Sequence, residues 1–254
     1  MQEQTITALC AALTAQQLPF AQGEPLAPHT TFKIGGPAAF WCTPRDVEQL
    51  RRTLQLCREN GVRVYLLGNG SNTLFDDAGF DGAVIDMRGL SGMENSGLDT
   101  DVVRITAGAG QTLGRLCSKA QTLGLTGLEF AHGIPGTVGG GVYMNAGAYG
   151  GEMKDVLQSV RYLTQDGDIV EAETTALDLS YRHSIFEENG GCILSAKFHL
   201  KRGDPDAIKA RMNELMQKRI DKQPLDKPSA GSTFKRPAGA FAHFSIFEPL
   251  ETTL

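Results

Sequence analysis

The sequence lacks the features that would direct it to a membrane or to a polyanion. No stretch of its 254 residues approaches the roughly twenty apolar residues of a membrane span. No Lys or Arg precedes Lys33, so the N-terminus lacks the basic region of a signal peptide. The net charge of −5 provides no basic field for nucleic acid or an anionic lipid surface. These absences predict a cytoplasmic protein with neither kind of partner.

Paired cysteines, clustered histidines and an ATP-binding loop are absent as well. The five cysteines are widely spaced and form no C-x-x-C pair, which predicts reduced cysteines that pack in the interior. The five histidines never fall at i, i+4 spacing and have no obvious acidic partners, so we expect no metal site. No G-x-x-x-x-G-K-[ST] sequence occurs, which excludes a P-loop as the phosphate site.

Segments typical of helices alternate with segments typical of strands, which predicts a mixed α and β chain. Asp46 precedes VEQLRRTLQLCRENG, whose apolar residues recur at helical spacing before Gly61. Residues 112–123 form a second helix candidate, whereas VRVYLLG, GAVIDM, VVRITAG and CILSAKFHL are typical of strands. Asp166 and Gly167 indicate a hairpin turn within RYLTQDGDIVEAE.

A further helix is predicted after these segments. It begins at Asp204 and Pro205, ends near Lys222, and has an apolar face formed by Ile208, Met212, Leu215, Met216 and Ile220. Because composition and periodicity change together at residues 201–204, we place a domain boundary there.

Two glycine-rich turns follow predicted strands. The first glycine loop (residues 68–72, GNGSN) is able to present several backbone N–H groups to an anionic phosphate, although this loop taken alone favours a plain strand turn. The second glycine loop (residues 107–114, AGAGQTLG) imitates a dinucleotide fingerprint but has G-x-G-x-x-x-G spacing. We therefore interpret the second loop as a tight turn.

The third glycine loop (residues 133–141, GIPGTVGGG) is the most distinctive segment of the chain. Pro135 fixes one φ angle, the glycines remove obstructing side chains, and Thr137 leads into a helix start. Such a segment allows backbone donors and a helix N-terminus to approach a pyrophosphate. Because the first and third loops both suit an anion, we expect one extended dinucleotide between them.

Five segments, in order, resemble the UDP-N-acetylenolpyruvoylglucosamine reductase family, in its shorter subclass. They are TFKIGGPA (31–38), LLGNGSNTL (66–74), EFAHGIPGTVGGGVYMNAGAYG (129–150), SYRHSIF (180–186) and AGSTFKRP (230–237). The likeness runs from residue 28 to residue 241. Members of this family are flavoenzymes that complete UDP-N-acetylmuramate for bacterial peptidoglycan.

The resemblance implies an α+β fold of defined organisation. It implies an N-terminal helical segment (1–27), then an FAD-binding domain of the vanillyl-alcohol-oxidase / p-cresol methylhydroxylase type (28–201), with two α+β subdomains around the flavin. An incomplete α+β substrate-binding domain (202–254) follows, in which residues 242–254 match no family sequence. We expect the protein to be a monomer.

The resemblance also implies the cofactors and the residues that bind them. FAD is expected to bind noncovalently, with His132 as a packing residue, and NADPH to reduce it. The FAD-binding positions are Gly68, Asn69, Gly70, Ser71, Asn72, Gly133, Ile134, Pro135, Gly136, Thr137 and Gly140. UDP-N-acetylglucosamine-enolpyruvate then binds and receives hydride from flavin N5 at its enolpyruvyl β-carbon.

Two residues match catalytic positions of the family. Arg182 in YRHS matches the arginine that holds the substrate carboxylate, and Ser232 in AGSTFKRP matches the proton donor to the α-carbon. Tyr181 is a weaker candidate for shaping the substrate pocket. Without the resemblance, Arg182 would be read as a surface ion-pair residue and Ser232 as a turn residue.

The sequence departs from the family at two places. His29 stands where the family commonly has asparagine, and the likeness stops after Phe241, where family members continue into a segment with a catalytic glutamate. We assign that role to neither Glu248 nor Glu251 and expect a truncated or altered C-terminus. The alternative function is therefore a catalytically impaired FAD-binding fragment. An oxidase of the same fold is disfavoured by YRHS and AGSTFKRP.

Overall fold

The computed structural model describes residues 1–97 and 102–232, which form a mixed α and β chain. Within these ranges the helices are α1 (Glu3–Ala15), α2 (Val47–Glu59), α3 (Leu113–Thr122), α4 (Val138–Tyr143), α5 (Phe186–Asn189) and α6 (Pro205–Lys222). The strands are β1 (Phe20–Pro25), β2 (Pro37–Cys42), β3 (Val64–Leu67), β4 (Phe80–Asp86), β5 (Met93–Ser96), β6 (Val102–Gly108), β7 (Leu125–Thr126), β8 (Gly147–Ala148), β9 (Gly151–Glu152), β10 (Leu157–Leu163), β11 (Ile169–Glu173) and β12 (Cys192–Arg202).

The first sheet has the strand order β1-β2-β4-β3. Strands β2, β4 and β3 pair in parallel, while β1 pairs antiparallel with β2. Helix α2 connects β2 to β3, as a crossover between parallel strands requires. The carboxyl ends of these parallel strands meet at one edge of the sheet, where Leu67 at the end of β3 lies beside Asp86 of β4. The first glycine loop therefore starts at this edge.

The second sheet is antiparallel, with the order β11-β10-β12-β6-β5 and with β7 added on β12. Strands β10 and β11 form the hairpin that Asp166 and Gly167 predict, with Gly167 at φ +89°. Helix α4 packs against β12 and β6, so the third glycine loop is supported by the middle of this sheet.

Helix α2 confirms the prediction made from its capping residues. The side chain of Asp46 accepts a hydrogen bond from the backbone N–H of Gln49 at 2.8 Å, and Gly61 follows the helix at φ +64°. Leu50 and Cys57 are fully buried on the face toward the core.

Helix α6 begins at Pro205 after an Asp204 cap, as predicted, but its apolar face is only partly covered. Ile208, Met212 and Leu215 are buried, whereas Ile220 is 51% exposed. The helix packs on α3 and on the 3₁₀ turn Glu129–Ala131, so Ile208 and Met212 belong to the same core as the second sheet. The domain boundary at 201–204 stays a prediction. Strand β12 gives way to helix α6 there, but buried residues of both belong to one hydrophobic core.

The N-terminal segment, expected to be helical as far as residue 27, contains a strand as well. After α1, whose Leu9 and Leu13 are fully buried, β1 joins the first sheet by pairing with β2. The strand that pairs with β1 lies outside residues 1–27, so the sequence of this segment alone could not predict the pairing. Among the described residues, no helix has both the length and the apolar character needed to cross a membrane.

The cysteines confirm the prediction of packing residues. Cys10 is partly buried, and the others are buried and have their thiol pKa raised to about 12 by burial: Cys42, Cys57, Cys117 and Cys192. A thiol with so high a pKa carries almost no thiolate at neutral pH and is therefore unreactive.

Candidate functional site

The first glycine loop leaves the carboxyl edge of the first sheet with its donors unused. Within residues 1–97 and 102–232, the backbone N–H groups of residues 69–72 donate to no acceptor. Gly70 has φ +60°, and a Cβ at this position would overlap the carbonyl oxygen of His29. A tight, glycine-dependent turn thus presents several unpaired N–H groups, which is the arrangement that binds anions.

The third glycine loop presents fewer donors and more open space. The helix start predicted at Thr137 is confirmed, and the Thr137 hydroxyl caps α4 by accepting from the Gly140 N–H at 3.4 Å. In the described part of the chain, the N–H groups of Gly136 and Thr137 find no acceptor. A Cβ at Gly136 or Gly140 would meet no atom closer than 3.6 Å. Because α4 has only 6 residues, we expect these loop donors to contribute more to the binding of an anion than the helix dipole does.

The first and third loops lie against each other, although they are far apart in sequence. The Asn69 side chain donates from Nδ2 to the carbonyl oxygen of Pro135 at 2.6 Å. A Cβ at Gly68 would overlap the Thr137 hydroxyl, and a Cβ at Gly136 would stand 3.6 Å from the hydroxyl of Ser71. The unpaired donors of both loops therefore border one site.

The second glycine loop is a packed turn, as predicted. Its N–H groups are satisfied by protein carbonyls: Gly108 donates to Gly92, Ala109 to Leu194, Gly110 to Leu90, and Gln111 to Gly108. The loop also accepts hydrogen bonds of 2.8 Å from the N–H groups of Val138 and Gly139. It supports the third loop, and the N–H groups of residues 108–111 are not available to a ligand.

The remaining residues of the third loop pack inward, and one cation approaches from α6. Ile134 packs against the core. A Cβ at Gly133 would stand 3.0 Å from Cδ of the half-buried Arg219. The sequence reasoning missed Arg219, because a basic residue in the last turn of a helix is usually read as a solvated complement to the helix dipole. Its position places a positive charge beside Gly133, at the start of the third glycine loop.

Arg182 lies at a hairpin turn close to the segment that follows α4. Ser180 and His183 exchange backbone hydrogen bonds across the turn, and Arg182 has φ +55°. The guanidinium donates from Nη2 to the Gly147 carbonyl oxygen at 2.9 Å and from Nη1 to the Asn145 carbonyl oxygen at 3.5 Å. It also lies 5.2 Å from the centre of the Tyr181 ring, which is 46% exposed.

Ser232 lies near the first glycine loop, at the end of the described residues. Thr31 anchors its segment, because the Thr31 hydroxyl donates to the Ser229 carbonyl oxygen at 2.6 Å and the Ser229 N–H donates back to Thr31 at 3.1 Å. A Cβ at Gly231 would stand 3.0 Å from the Ser71 carbonyl oxygen. The Ser232 side chain is exposed and makes no hydrogen bond within the described residues.

The arrangement fits a dinucleotide that carries a pyrophosphate. It combines unpaired backbone donors from two loops, glycines that open onto free space, and the Arg219 cation. Residues 38–173 match a family described as an FAD binding domain, which defines the class of the protein.

Relatives define the family more narrowly. UDP-N-acetylenolpyruvoylglucosamine reductase of Clostridium novyi is 47% identical, over 84% of this chain and 68% of the relative. The enzyme of the same name from Agathobacter rectalis is 49% identical, over 89% of this chain and 74% of the relative. The solved structure of the Thermus caldophilus enzyme has a TM-score of 0.71 at 33% identity and covers 87% of this chain and 76% of that one. The chain belongs to the UDP-N-acetylenolpyruvoylglucosamine reductase family of FAD-dependent oxidoreductases.

A more distant structure supports the fold alone. A berberine bridge enzyme variant has a TM-score of 0.57 at 16% identity over 78% of this chain. Together with the reductase structure, it confirms the expected α+β fold of the FAD-binding domain. Glu248 and Glu251 lie outside the described residues.

We expect Gly70→Ala to weaken FAD binding. The left-handed backbone would be strained by about 1 kcal/mol or more, and the new Cβ would push the loop away from His29, which displaces its N–H donors. Fluorescence titration with FAD, alongside thermal unfolding without FAD, measures the two effects. Gly92→Ala is the matched control, because a Cβ there meets no atom within 4 Å. Unchanged FAD affinity in Gly70→Ala would contradict the assignment of this loop.

His183, beside Arg182, predicts a pH dependence of stability. Partial burial lowers the pKa of His183, but the hydrogen bond to Asp178 at 3.2 Å and the charges of Glu188 and Glu187 outweigh this, so the pKa is raised. The resulting stabilisation is complete below the unfolded pKa of about 6.5 and is lost as pH rises through the folded value. We expect His183→Gln to lower the free energy of unfolding more at pH 5.5 than at pH 9. A difference that is the same at both pH values would contradict this.

Proposed function

We propose that this protein is an NADPH-dependent flavoenzyme that reduces UDP-N-acetylglucosamine-enolpyruvate to UDP-N-acetylmuramate in peptidoglycan precursor synthesis. Membership of the family supports the reaction. The structural observation that carries it is the position of Arg182, which is held by carbonyl groups of the chain segment that leaves the third glycine loop. A carboxylate-binding cation is thus attached to the same segment as the unpaired N–H donors.

FAD would be held by the first and third glycine loops. The N–H groups of residues 69–72 and of Gly136 and Thr137 would donate to its pyrophosphate, and Arg219 would add a positive charge. When bound, FAD would supply the hydride chemistry, with NADPH as the source of the hydride and the β-carbon of the enolpyruvyl group as its acceptor. Burial encloses the Nδ1 atom of His132, which supports a packing role for this residue and noncovalent attachment of FAD.

The protein side chains act on the substrate. Hydride addition at the β-carbon leaves negative charge at the α-carbon, beside the carboxylate. Arg182 donates two hydrogen bonds to that carboxylate and stabilises the charge, since its planar fork matches the carboxylate geometry. Ser232 donates its hydroxyl proton to the α-carbon, which completes the addition of two hydrogens across the double bond. The ring of Tyr181 borders the pocket and keeps the guanidinium in place.

We also propose how the chain is organised and where it works. The FAD-binding domain comprises residues 28–201, and α6 begins the substrate-binding domain at 202–254, so the two domains share the core around Ile208. The protein is a monomer of the cytoplasm, where the nucleotide substrate and NADPH are present.

An anaerobic absorbance trace of the FAD-reconstituted protein tests the function. We expect NADPH to bleach the flavin and UDP-N-acetylglucosamine-enolpyruvate to restore its absorbance. Protein that stays colourless after refolding with FAD would overturn the proposal. Bleaching without recovery would favour the catalytically impaired fragment, and hydrogen peroxide production with a simple alcohol would favour an oxidase. Sedimentation analysis in the same buffer checks the monomeric state.

A further inference from the structure

Asn145 is a buried polar residue for which the proposed reaction has so far given no role. Its side chain is fully buried, and its backbone has φ +38°, in the left-handed region. The amide Nδ2 donates to Oε2 of Glu152 at 3.1 Å and to the Ser180 carbonyl oxygen at 2.9 Å. Its Oδ1 accepts from the Lys154 N–H at 3.0 Å. Three hydrogen bonds to two separate segments, residues 152–154 and Ser180, therefore fix this one side chain.

The backbone beside Asn145 holds the guanidinium of Arg182. The carbonyl oxygens of Asn145 and Gly147 accept from Nη1 at 3.5 Å and Nη2 at 2.9 Å. We call these two oxygens the carbonyl cradle. A guanidinium has five N–H groups, so two contacts to the cradle leave others free for a carboxylate. Arg182 is itself in the left-handed region at φ +55°, so its orientation depends on contacts outside its own turn.

The same amide links the cradle to the turn that bears Arg182. One N–H of Nδ2 reaches Ser180, at the start of the Ser180–His183 turn, while the carbonyl of Asn145 belongs to the cradle. At Gly147 the chain passes so close to its neighbour that an added Cβ would stand 2.7 Å from the Gly151 carbonyl oxygen. Turn and cradle are thus joined through Asn145 and have little freedom to move independently.

Glu152 is the charged anchor of this arrangement. The pKa of Glu152 is lowered, mainly by the hydrogen bond from Lys154. Burial opposes this shift, while the hydrogen bond from Asn145 and the charges of Lys154 and Arg182 add to it. An ionised carboxylate is a stronger acceptor for the Asn145 amide than a neutral one. Aspartate at position 145 would lose both N–H donors and add a second negative charge.

We propose that Asn145 is a positioning residue: it aligns the carbonyl cradle with the Ser180–His183 turn and thereby aims Arg182 at the substrate carboxylate. The inference deepens the proposed function and rests on it, because the role of Arg182 is defined there. It adds a residue without contact to FAD or substrate, whose effect passes through Arg182.

Asn145→Gly tests the inference, because glycine keeps the positive φ and removes only the side-chain bonds. Calorimetry on the oxidised, FAD-loaded full chain compares UDP-N-acetylglucosamine-enolpyruvate with UDP-N-acetylglucosamine, which has no carboxylate. We expect affinity for the first compound to fall about tenfold and affinity for the second to stay unchanged. In an Arg182→Ala background, Asn145→Gly should have no further effect. Asn60→Gly, at the end of α2, is the matched control and should change neither affinity.

A readout without substrate separates this inference from the proposed function. In nitrogen-15-labelled protein, the Nε–Hε resonance of Arg182 is identified by its absence in Arg182→Ala. We expect it to shift in Asn145→Gly and to stay in place in Asn60→Gly. If the wild type fails to react with the enolpyruvyl compound, the proposed function fails, while the resonance still reports on the cradle.

Three results with Asn145→Gly would overturn the inference. They are an Arg182 resonance that does not shift, an equal loss of affinity for both UDP compounds, and additive losses of affinity when the variant is combined with Arg182→Ala. If Asn145→Gly does not fold, Glu152→Ala carries the same test, because Glu152 is partly exposed and anchors the Asn145 amide. We expect this variant to shift the Arg182 resonance and to lower the affinity for the enolpyruvyl compound but not for UDP-N-acetylglucosamine. An unchanged resonance in Glu152→Ala would then overturn the inference.

Discussion

Replacing Arg182 by alanine is expected to slow reoxidation of the flavin by UDP-N-acetylglucosamine-enolpyruvate by about 10²–10³-fold, the usual effect of removing a donor that stabilises developing charge. Reduction by NADPH should stay near the wild-type rate, because that step has no developing charge beside the substrate carboxylate. The reoxidation rate of Arg182→Lys should lie between those of the wild type and Arg182→Ala, since an ammonium keeps the charge but loses the bidentate fork. Anaerobic stopped-flow absorbance resolves the two half-reactions.

Arg161→Ala is the control for loss of an arginine. Arg161 is exposed on β10 and should affect neither half-reaction when replaced. If Arg182→Ala slowed both half-reactions equally, the guanidinium would have a structural role, and the assignment to the carboxylate would be wrong. A wild-type reoxidation rate in Arg182→Ala would exclude the residue from the reaction.

Helix caps and tight turns, which depend on a few adjacent residues, could be predicted from the sequence. Asp46 caps α2, Asp204 caps α6 and Thr137 caps α4, because each cap needs only a side chain and the N–H groups two or three positions ahead. The tight-turn interpretation of the second glycine loop was confirmed for a similar reason: its spacing fails the dinucleotide fingerprint. Local chemistry determines the three caps, so a single sequence is enough to predict them.

Contacts between distant segments could not be predicted from local sequence. The bond from Asn69 to Pro135 joins residues 66 positions apart, and Arg182 lies 35 positions from Gly147. Local spacing contains no information on such pairs, and only the resemblance to the family grouped the loops and YRHS into one site. Asn145 illustrates the limit, because MNAGAYG gives no sign that its asparagine is buried and makes hydrogen bonds to two distant segments.

The difference between the first and second glycine loops also depends on tertiary structure. Both follow strands and contain two or more glycines, but the second lies where carbonyls of Leu90, Gly92 and Leu194 take up its donors. The first lies at the carboxyl edge of a parallel sheet, where the strands end and no carbonyl in the described structure accepts from the backbone N–H groups of residues 69–72. Ligands commonly bind at this edge of a parallel sheet. Sheet topology therefore distinguishes the two loops.

Ser232→Ala is expected to slow substrate-dependent reoxidation by about 10²–10⁴-fold, because the carbanion then has no positioned proton donor. Bleaching by NADPH should be unaffected, and so should affinity for the substrate, since a serine hydroxyl contributes little to ground-state binding when water replaces it. The exposed position of Ser232 next to the first glycine loop is compatible with a donor that meets its acceptor only when substrate is bound.

Solvent deuterium distinguishes proton transfer from a general defect. In D₂O the wild type should place deuterium at the α-carbon of the product, and Ser232→Cys should restore part of the rate, because a thiol also donates a proton. Ser118→Ala, at an exposed serine of α3, is the control and should behave as the wild type. A wild-type reoxidation rate in Ser232→Ala would exclude the hydroxyl as the donor. The α-carbon proton would then have to come from another acid or from water, and the catalytic constellation would contain Arg182 without Ser232.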